Sequence, residues 1–331
     1  MLRRLYPAET HREPGCKSTE IKPPSGKQTN AASNAEDLNY AHFAPPPIRR
    51  PFHKRMMHDK QFAMNDNPDE NRPLPEAIPA ATLVLFRERD GLPPELLVVE
   101  RSATMAFAGG AIVFPGGRID PDDHDIASAA RFLVDGSPFD TQEAAARVAA
   151  IRETLEESGI AIGFEHAPEQ DWIVAARVRL HRRETFSTIL ADADVRLALD
   201  DLVPFARWRP NFREARIFDT RFYIARSHPE TPEPVVDDTE NVLSFWASAA
   251  DLLAAADEGR VKVIFPTRRN LERLALFDDF ASASAHARAI PVEVIAPFFE
   301  ERDGERHLCI PDHLGYPITS ERLTTAVRAG Q

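Results

Sequence analysis

The stretch RETLEESG, Arg152 to Gly159, limits the fold of this chain more than any other. It closes the run TQEAAARVAAIRETLEESG, which reads as a helix of roughly four to five turns. Asp140 stands at its N-cap with Glu143 three residues on, a capping-box pattern. Gly159 supplies a left-handed C-cap. Val148, Ile151 and Leu155 recur at helical spacing and predict the buried stripe. Residues three and four apart share a face, so Glu153, Glu156 and Glu157 project together, opposite Leu155. Carboxylates this close repel and raise one another's pKa. The cluster is therefore either a solvated acidic face or a cradle for a hard cation such as Mg²⁺ or Mn²⁺. Arg152 can pair with one carboxylate and fix its rotamer.

The rest of the chain frames that helix. Residues 1–73 contain no valine and carry the cluster Pro45-Pro46-Pro47. Such a segment buries too little apolar surface to offset its ordering entropy and is expected to be a disordered tail. Met56, Met57 and Met64 near its end are alternative expected starts. Ordered structure is expected over 74–278, with an insertion at about 118–140, and a helical and hairpin extension over 279–331 packs on it. The runs ATLVLFRE, ELLVVER and AIVFPGG read as strands, the last ending in a proline-glycine turn. IAIGF, LVPFARW, IFDTRFYIAR and VLSFWAS read as further strands. Residues 168–200 read as helical, with Trp172, Ile173, Val174 and Val178 inward. AADLLAAADEG and PTRRNLERLALF read as helices, and Asp303-Gly304 as a hairpin turn. This order predicts an α+β chain, an α/β/α sandwich with a mixed sheet.

Several classes are disfavoured. A net charge of −12 argues against nucleic-acid binding and against an anionic membrane surface. No apolar run approaches a membrane span. MLRRLYPAETHREPG lacks the apolar core of a secretory signal. Cys16 and Cys309 offer no disulfide framework or zinc spacing, so a reducing cytoplasm fits. No phosphate-binding P-loop, dinucleotide fingerprint or serine triad order is present.

Pro115-Gly116-Gly117 followed by R-E-x-x-E-E-x-G-I resembles the Nudix hydrolase box. The resemblance implies a Nudix fold and a metal-dependent hydrolase. It implies that Glu156 and Glu157 bind Mg²⁺ or Mn²⁺, and that Glu153 binds metal or helps to deprotonate the attacking water. Arg152 then orients Glu153, and the carbonyl of Gly116 or Gly117 joins the metal shell. Glu240, in DDTENVLSFW, is the candidate further ligand, with Asp237 and Asp238 competing. Arg101 and Arg118 flank the glycine turn as candidate phosphate contacts. Phe107, Phe186 and Trp208 read as core rather than stacking residues.

Three departures accompany the match. An insertion separates Gly117 from Arg152, the early box glutamate falls on Ala144 with Glu143 one residue off, and Thr154 replaces an aliphatic. VFPGG, LVPFARW, FDTRFYIA, FWAS and VIFPTRRNLERLA, spread over about Ala80 to Phe277, resemble the acyl-coenzyme A diphosphatase branch (peroxisomal CoA-type Nudix hydrolases) and its bacterial relatives. That branch implies hydrolysis of a pyrophosphate bond in a nucleoside diphosphate linked to another moiety, with CoA or acyl-CoA leading. ADP-ribose and NADH-type dinucleotides are alternatives within the same chemistry. A non-catalytic ligand-binding Nudix module is the alternative of another class. Such modules usually lose box glutamates, and this chain keeps all of them.

Overall fold

The computed structural model describes residues 75–324, except 106–107, 135–137, 212–215 and 237–239. The expected tail, the starts at Met56, Met57 and Met64, Cys16, Phe107, Asp237 and Asp238 lie outside the described residues.

In chain order the elements are β1 (Ile78–Arg87), β2 (Glu95–Arg101), β3 (Ala111–Val113), β4 (Gly116–Arg118), α1 (Pro121–Ser128) and α2 (Thr141–Ser158). Then come α3 (Gln170–His181), α4 (Phe186–Ala193), β5 (Val203–Trp208), β6 (Phe218–Arg226), β7 (Asn241–Ser248) and α5 (Ala249–Asp257). The last are β8 (Lys262–Val263), α6 (Phe265–Leu274), α7 (Phe280–Ala289), β9 (Val294–Ile295), β10 (Phe298–Arg302), β11 (Glu305–Cys309) and β12 (Ser320–Arg322).

The main sheet runs β8-β3-β2-β1-β6-β5-β9, with β4 added on β1 and β7 on β2. β1 is its centre. It runs parallel to β6 from Ile78↔Phe218 to Phe86↔Arg226 and antiparallel to β2 and β4. Successive strand residues point to opposite faces. Leu83 and Leu85 therefore enter the core under α2, while Val84 and Phe86 enter the core on the other face. A strand buried on both faces reads as a continuous apolar run, which is how ATLVLF appears. α1 to α4 close the first core and α5 to α7 the second, giving the expected α/β/α sandwich. β9 joins the sheet beside β5, and β10, β11 and β12 form a separate three-stranded sheet. The hairpin turns at Asp303-Gly304 as expected. No helix among the described residues is long and apolar enough to cross a membrane.

Three local expectations are corrected. Ile160 and Ile162 are buried, but IAIGF forms no strand and makes only a bridge from Phe164 to Leu197. An apolar run short enough to be a strand is here a buried connection. On α3 the inward stripe is Ile173, Ala176 and Leu180, whereas Val174 and Val178 are 55% and 44% exposed. A small alanine in the stripe hid the true helix phase. The strand in AIVFPGG stops at Val113, and its glycines form the separate strand β4.

Candidate active site

The site grows from how α2 is anchored. Asp140 Oδ1 accepts the Glu143 N–H at 2.8 Å. The Glu143 carboxylate does not complete the capping box. It accepts from Arg147 Nε at 3.0 Å and Tyr223 Oη at 3.0 Å and lies 3.4 Å from Arg221 Nε, so it ties the helix to β6. Val148, Ile151 and Leu155 are fully buried as expected. Thr154, also fully buried, satisfies its hydroxyl on the Ala150 carbonyl at 2.7 Å and so replaces an aliphatic without an orphaned polar atom. Gly159 ends the helix at φ 70°. Arg177 Nε and Nη2 donate to the Glu156 and Glu157 carbonyls at 2.8 and 3.1 Å, which holds the last turn.

The glycines of β4 lie against the acidic turn. Ala81↔Gly117 and Thr82↔Gly116 set the register, and the Gly116 N–H donates to Glu157 Oε2 at 3.1 Å. A Cβ on Gly117 would stand 2.4 Å from Glu153 Oε1, and one on Gly116 would stand 2.5 Å from the Ala81 carbonyl oxygen. The two contacts differ in kind. Glu153 is a flexible side chain, whereas Ala81 O is backbone in the central strand. Gly117→Ala is thus expected to keep the fold, displace Glu153 and lower kcat at least tenfold. Gly116→Ala is expected to lose roughly 1–3 kcal/mol of stability. Urea titration beside steady-state rates checks the contrast; equal stability losses would refute it.

Arg152 is the hub of the charges. Its Nε and Nη2 bind both oxygens of Asp123 at 2.9 and 2.8 Å. Nη1 donates to Glu153 Oε1 at 2.8 Å, and Nη2 also donates to the Arg118 carbonyl at 2.9 Å. Asp123 is fully buried and also accepts the Asp120 N–H at 2.8 Å. It comes from α1, inside the insertion, and sequence reasoning missed it. The run Asp120-Pro121-Asp122-Asp123 is a helix-start signal that could have marked it, but nothing local shows its partner.

Burial dominates the electrostatics. It raises the Glu157 pKa to about 8, with the charge of Glu153 adding to the effect. The Asn241 side chain, the Gly116 N–H and Arg101 oppose it. Burial raises Glu153 to about 7, with Arg152 lowering it and Glu156 raising it. Glu156 is raised by burial as well, against Arg152, His181 and Arg183, with Glu240 adding repulsion. Arg152 would be lowered by burial alone, but Glu153 and Asp123 raise it.

One cleft of about 780 Å³ is lined by every residue expected at the site: Arg101, Gly116, Gly117, Arg118, Arg152, Glu153, Glu156, Glu157 and Glu240. His181, Arg183 and Arg216 line it too, as do Phe114, Trp208, Phe218 and Phe222. Trp208 is also a buried core residue, and Phe186 is core alone. Among the described residues, no three acidic, histidine or cysteine side chains converge as a ready-made metal shell. The donor set nevertheless fits a hard divalent cation. It is all oxygen, it packs on glycine, and its one buried arginine is already committed to Asp123 and Glu153. Ionising all three glutamates calls for further positive charge beside them.

Sequence reasoning missed Asn241, one residue beyond the candidate Glu240, whose side chain lies beside Glu157 and favours its charged form. It also missed His181, the last residue of α3, and Arg183 just past it, because neither carries a spacing signal.

No family model matches the sequence, and no curated protein matches it. A mixed sheet between helix layers, with an acidic helix against a glycine strand, defines the Nudix fold. The Nudix hydrolase from Alicyclobacillus acidocaldarius matches with a TM-score of 0.55 at 27% identity over 63% of this chain and 96% of that one. This likeness supports the Nudix superfamily and a hydrolase acting on pyrophosphate bonds. The Nudix domain of Shewanella oneidensis NrtR, complexed with ADP ribose, matches at TM-score 0.35 and 16% identity over 65% of this chain and 96% of its own. The Caenorhabditis elegans Ap4A hydrolase matches at 0.28 and 16% over 56% and 90%.

Proposed function

We propose that this chain hydrolyses the pyrophosphate bond of a nucleoside diphosphate linked to another group, with CoA or an acyl-CoA as substrate and Mg²⁺ or Mn²⁺ as cofactor. The observation that carries this is that Glu153, Glu156 and Glu157 line one cleft with Gly116 and Gly117 packed against them and arginines along its walls. Hydrolysis of a diphosphate needs charge neutralisation, an activated water and alignment of the two. A bound divalent cation supplies charge neutralisation and a lowered water pKa.

Glu156 and Glu157 would hold the cation, with Glu240 as a further ligand and the carbonyl of Gly116 or Gly117 beside them. Glu153 serves as ligand or as the base that takes the proton from water. Arg152 orients Glu153 through the 2.8 Å bond. Arg101, at the end of β2, and Arg118, at the end of β4, would contact phosphate oxygens. Phe114, Phe218 and Phe222 give the cleft an apolar wall for the part of the substrate beyond the phosphates. The partner is thus a small molecule, and we place the reaction in the cytoplasm.

The test is a panel of CoA, acyl-CoAs, ADP-ribose, NADH and capped dinucleotides with Mg²⁺ and Mn²⁺, read by product identity. CoA or an acyl-CoA is expected to show the highest kcat/KM and to split at its pyrophosphate. A preference for ADP-ribose or NADH would move the substrate within the same chemistry. No turnover of any compound, with no thermal shift by Mg²⁺, would overturn the reading.

A further inference from the structure

Arg183 is where an unusual backbone meets the cleft. α3 ends in a Schellman-type turn: the Arg183 N–H donates to the Leu180 carbonyl at 2.7 Å and the Glu184 N–H to the Arg179 carbonyl at 3.1 Å. That turn holds Arg183 at φ 64°. Glycine is favoured in this conformation because a Cβ crowds the following carbonyl. At the end of α2 the same conformation is filled by Gly159, at φ 70°. Here a long cationic side chain stands instead.

The surroundings suggest why. Arg183 lines the cleft with His181 and Glu156, and its charge acts on the Glu156 carboxylate. Three neighbouring arginines are engaged elsewhere. Arg179 is held by Glu184 and Asp192, Arg177 by the carbonyls at the end of α2, and Arg152 by Asp123 and Glu153. Arg183 has no ion pair among the described residues. It is exposed, so holding it costs no burial of charge.

We propose that Arg183 is a substrate-binding residue that contacts the non-bridging oxygens of a diphosphate lying over Glu156. Its left-handed backbone aims the guanidinium at that anion. A planar fork suits two phosphoryl oxygens better than an ammonium does. The identity of the anion as a diphosphate rests on the proposed function; the presence of an anion contact does not.

The test compares wild type with Arg183→Gly and Arg183→Lys. In Arg183→Gly the turn relaxes, so Tm is expected to hold or rise by up to about 2–4 °C. KM for the preferred substrate is expected to rise about tenfold, as for loss of one charge-assisted hydrogen bond, with kcat little changed. Arg183→Lys is expected to recover part of that loss. ADP binding, followed by calorimetry without turnover, should weaken in the same order. Unchanged KM and unchanged ADP affinity in Arg183→Gly would overturn the assignment, and so would a fall in Tm with KM unchanged. Wild-type protein that hydrolyses no diphosphate yet binds ADP through Arg183 would refute the proposed reaction and uphold this contact.

Discussion

Glu157→Gln is expected to lower kcat by on the order of 10²–10³-fold while the fold persists. Glutamine keeps the size of the side chain and can still accept the Gly116 N–H. What it loses is the negative charge that a cation would bind. The same variant reports on stability. The folded pKa of Glu157 is about 8, above the usual 4.5. Between those values the folded chain holds a proton that the unfolded chain has released. Metal-free wild type should therefore lose stability as pH rises from about 4.5 to about 8. The glutamine variant lacks this group and should show a flatter slope. Mg²⁺ should restore stability to wild type at pH 8 and do little for the variant. Near-normal kcat at saturating Mg²⁺ would remove Glu157 from the mechanism.

Arg152→Ala is expected to cost about 3–5 kcal/mol of stability, the usual result of breaking a buried ion pair from one side. Asp123 would then keep a fully buried carboxylate with its two strongest donors gone. The paired replacement Arg152→Met with Asp123→Leu should recover the part of that loss that comes from Asp123, because Asp123 is then no longer a stranded buried charge, while Glu153 still loses its arginine. It should not recover activity, since Glu153 loses the Nη1 bond that orients it. Chemical denaturation of the three proteins separates these outcomes. A double variant no more stable than Arg152→Ala would mean that the pair is not the source of the loss.

Legibility followed the range of the interactions involved. β1, α2 and the Asp303-Gly304 hairpin were readable because their signals are local: an apolar run, a helical period with caps, and a turn dipeptide. The carboxylates of Glu153, Glu156 and Glu157 were readable for the same reason, since helix phase alone puts them together. Asp123 was not, because what makes it matter is Arg152, well beyond it in the chain. Asn241 was overlooked beside Glu240 because an amide is a poorer metal ligand than a carboxylate, yet here its side chain lies beside the ligand candidate Glu157 and favours its charged form. On α3 the valines drew attention outward, while Ala176 packed inward unnoticed.

The pairing of β1 with β6 also has a consequence in time. Ile78 meets Phe218, more than a hundred residues later in the chain. At translation rates of about 5–20 residues per second, β1 waits on the order of ten seconds for its neighbour to be made. α2 leaves the ribosome within that interval, carrying its glutamates before the central pair of the sheet can form. Such long-range pairing slows folding. The nascent chain is therefore expected to depend on chaperones most strongly before residue 226 emerges, and a stalled-ribosome series cut before and after β6 would show protease resistance appearing only in the longer chains.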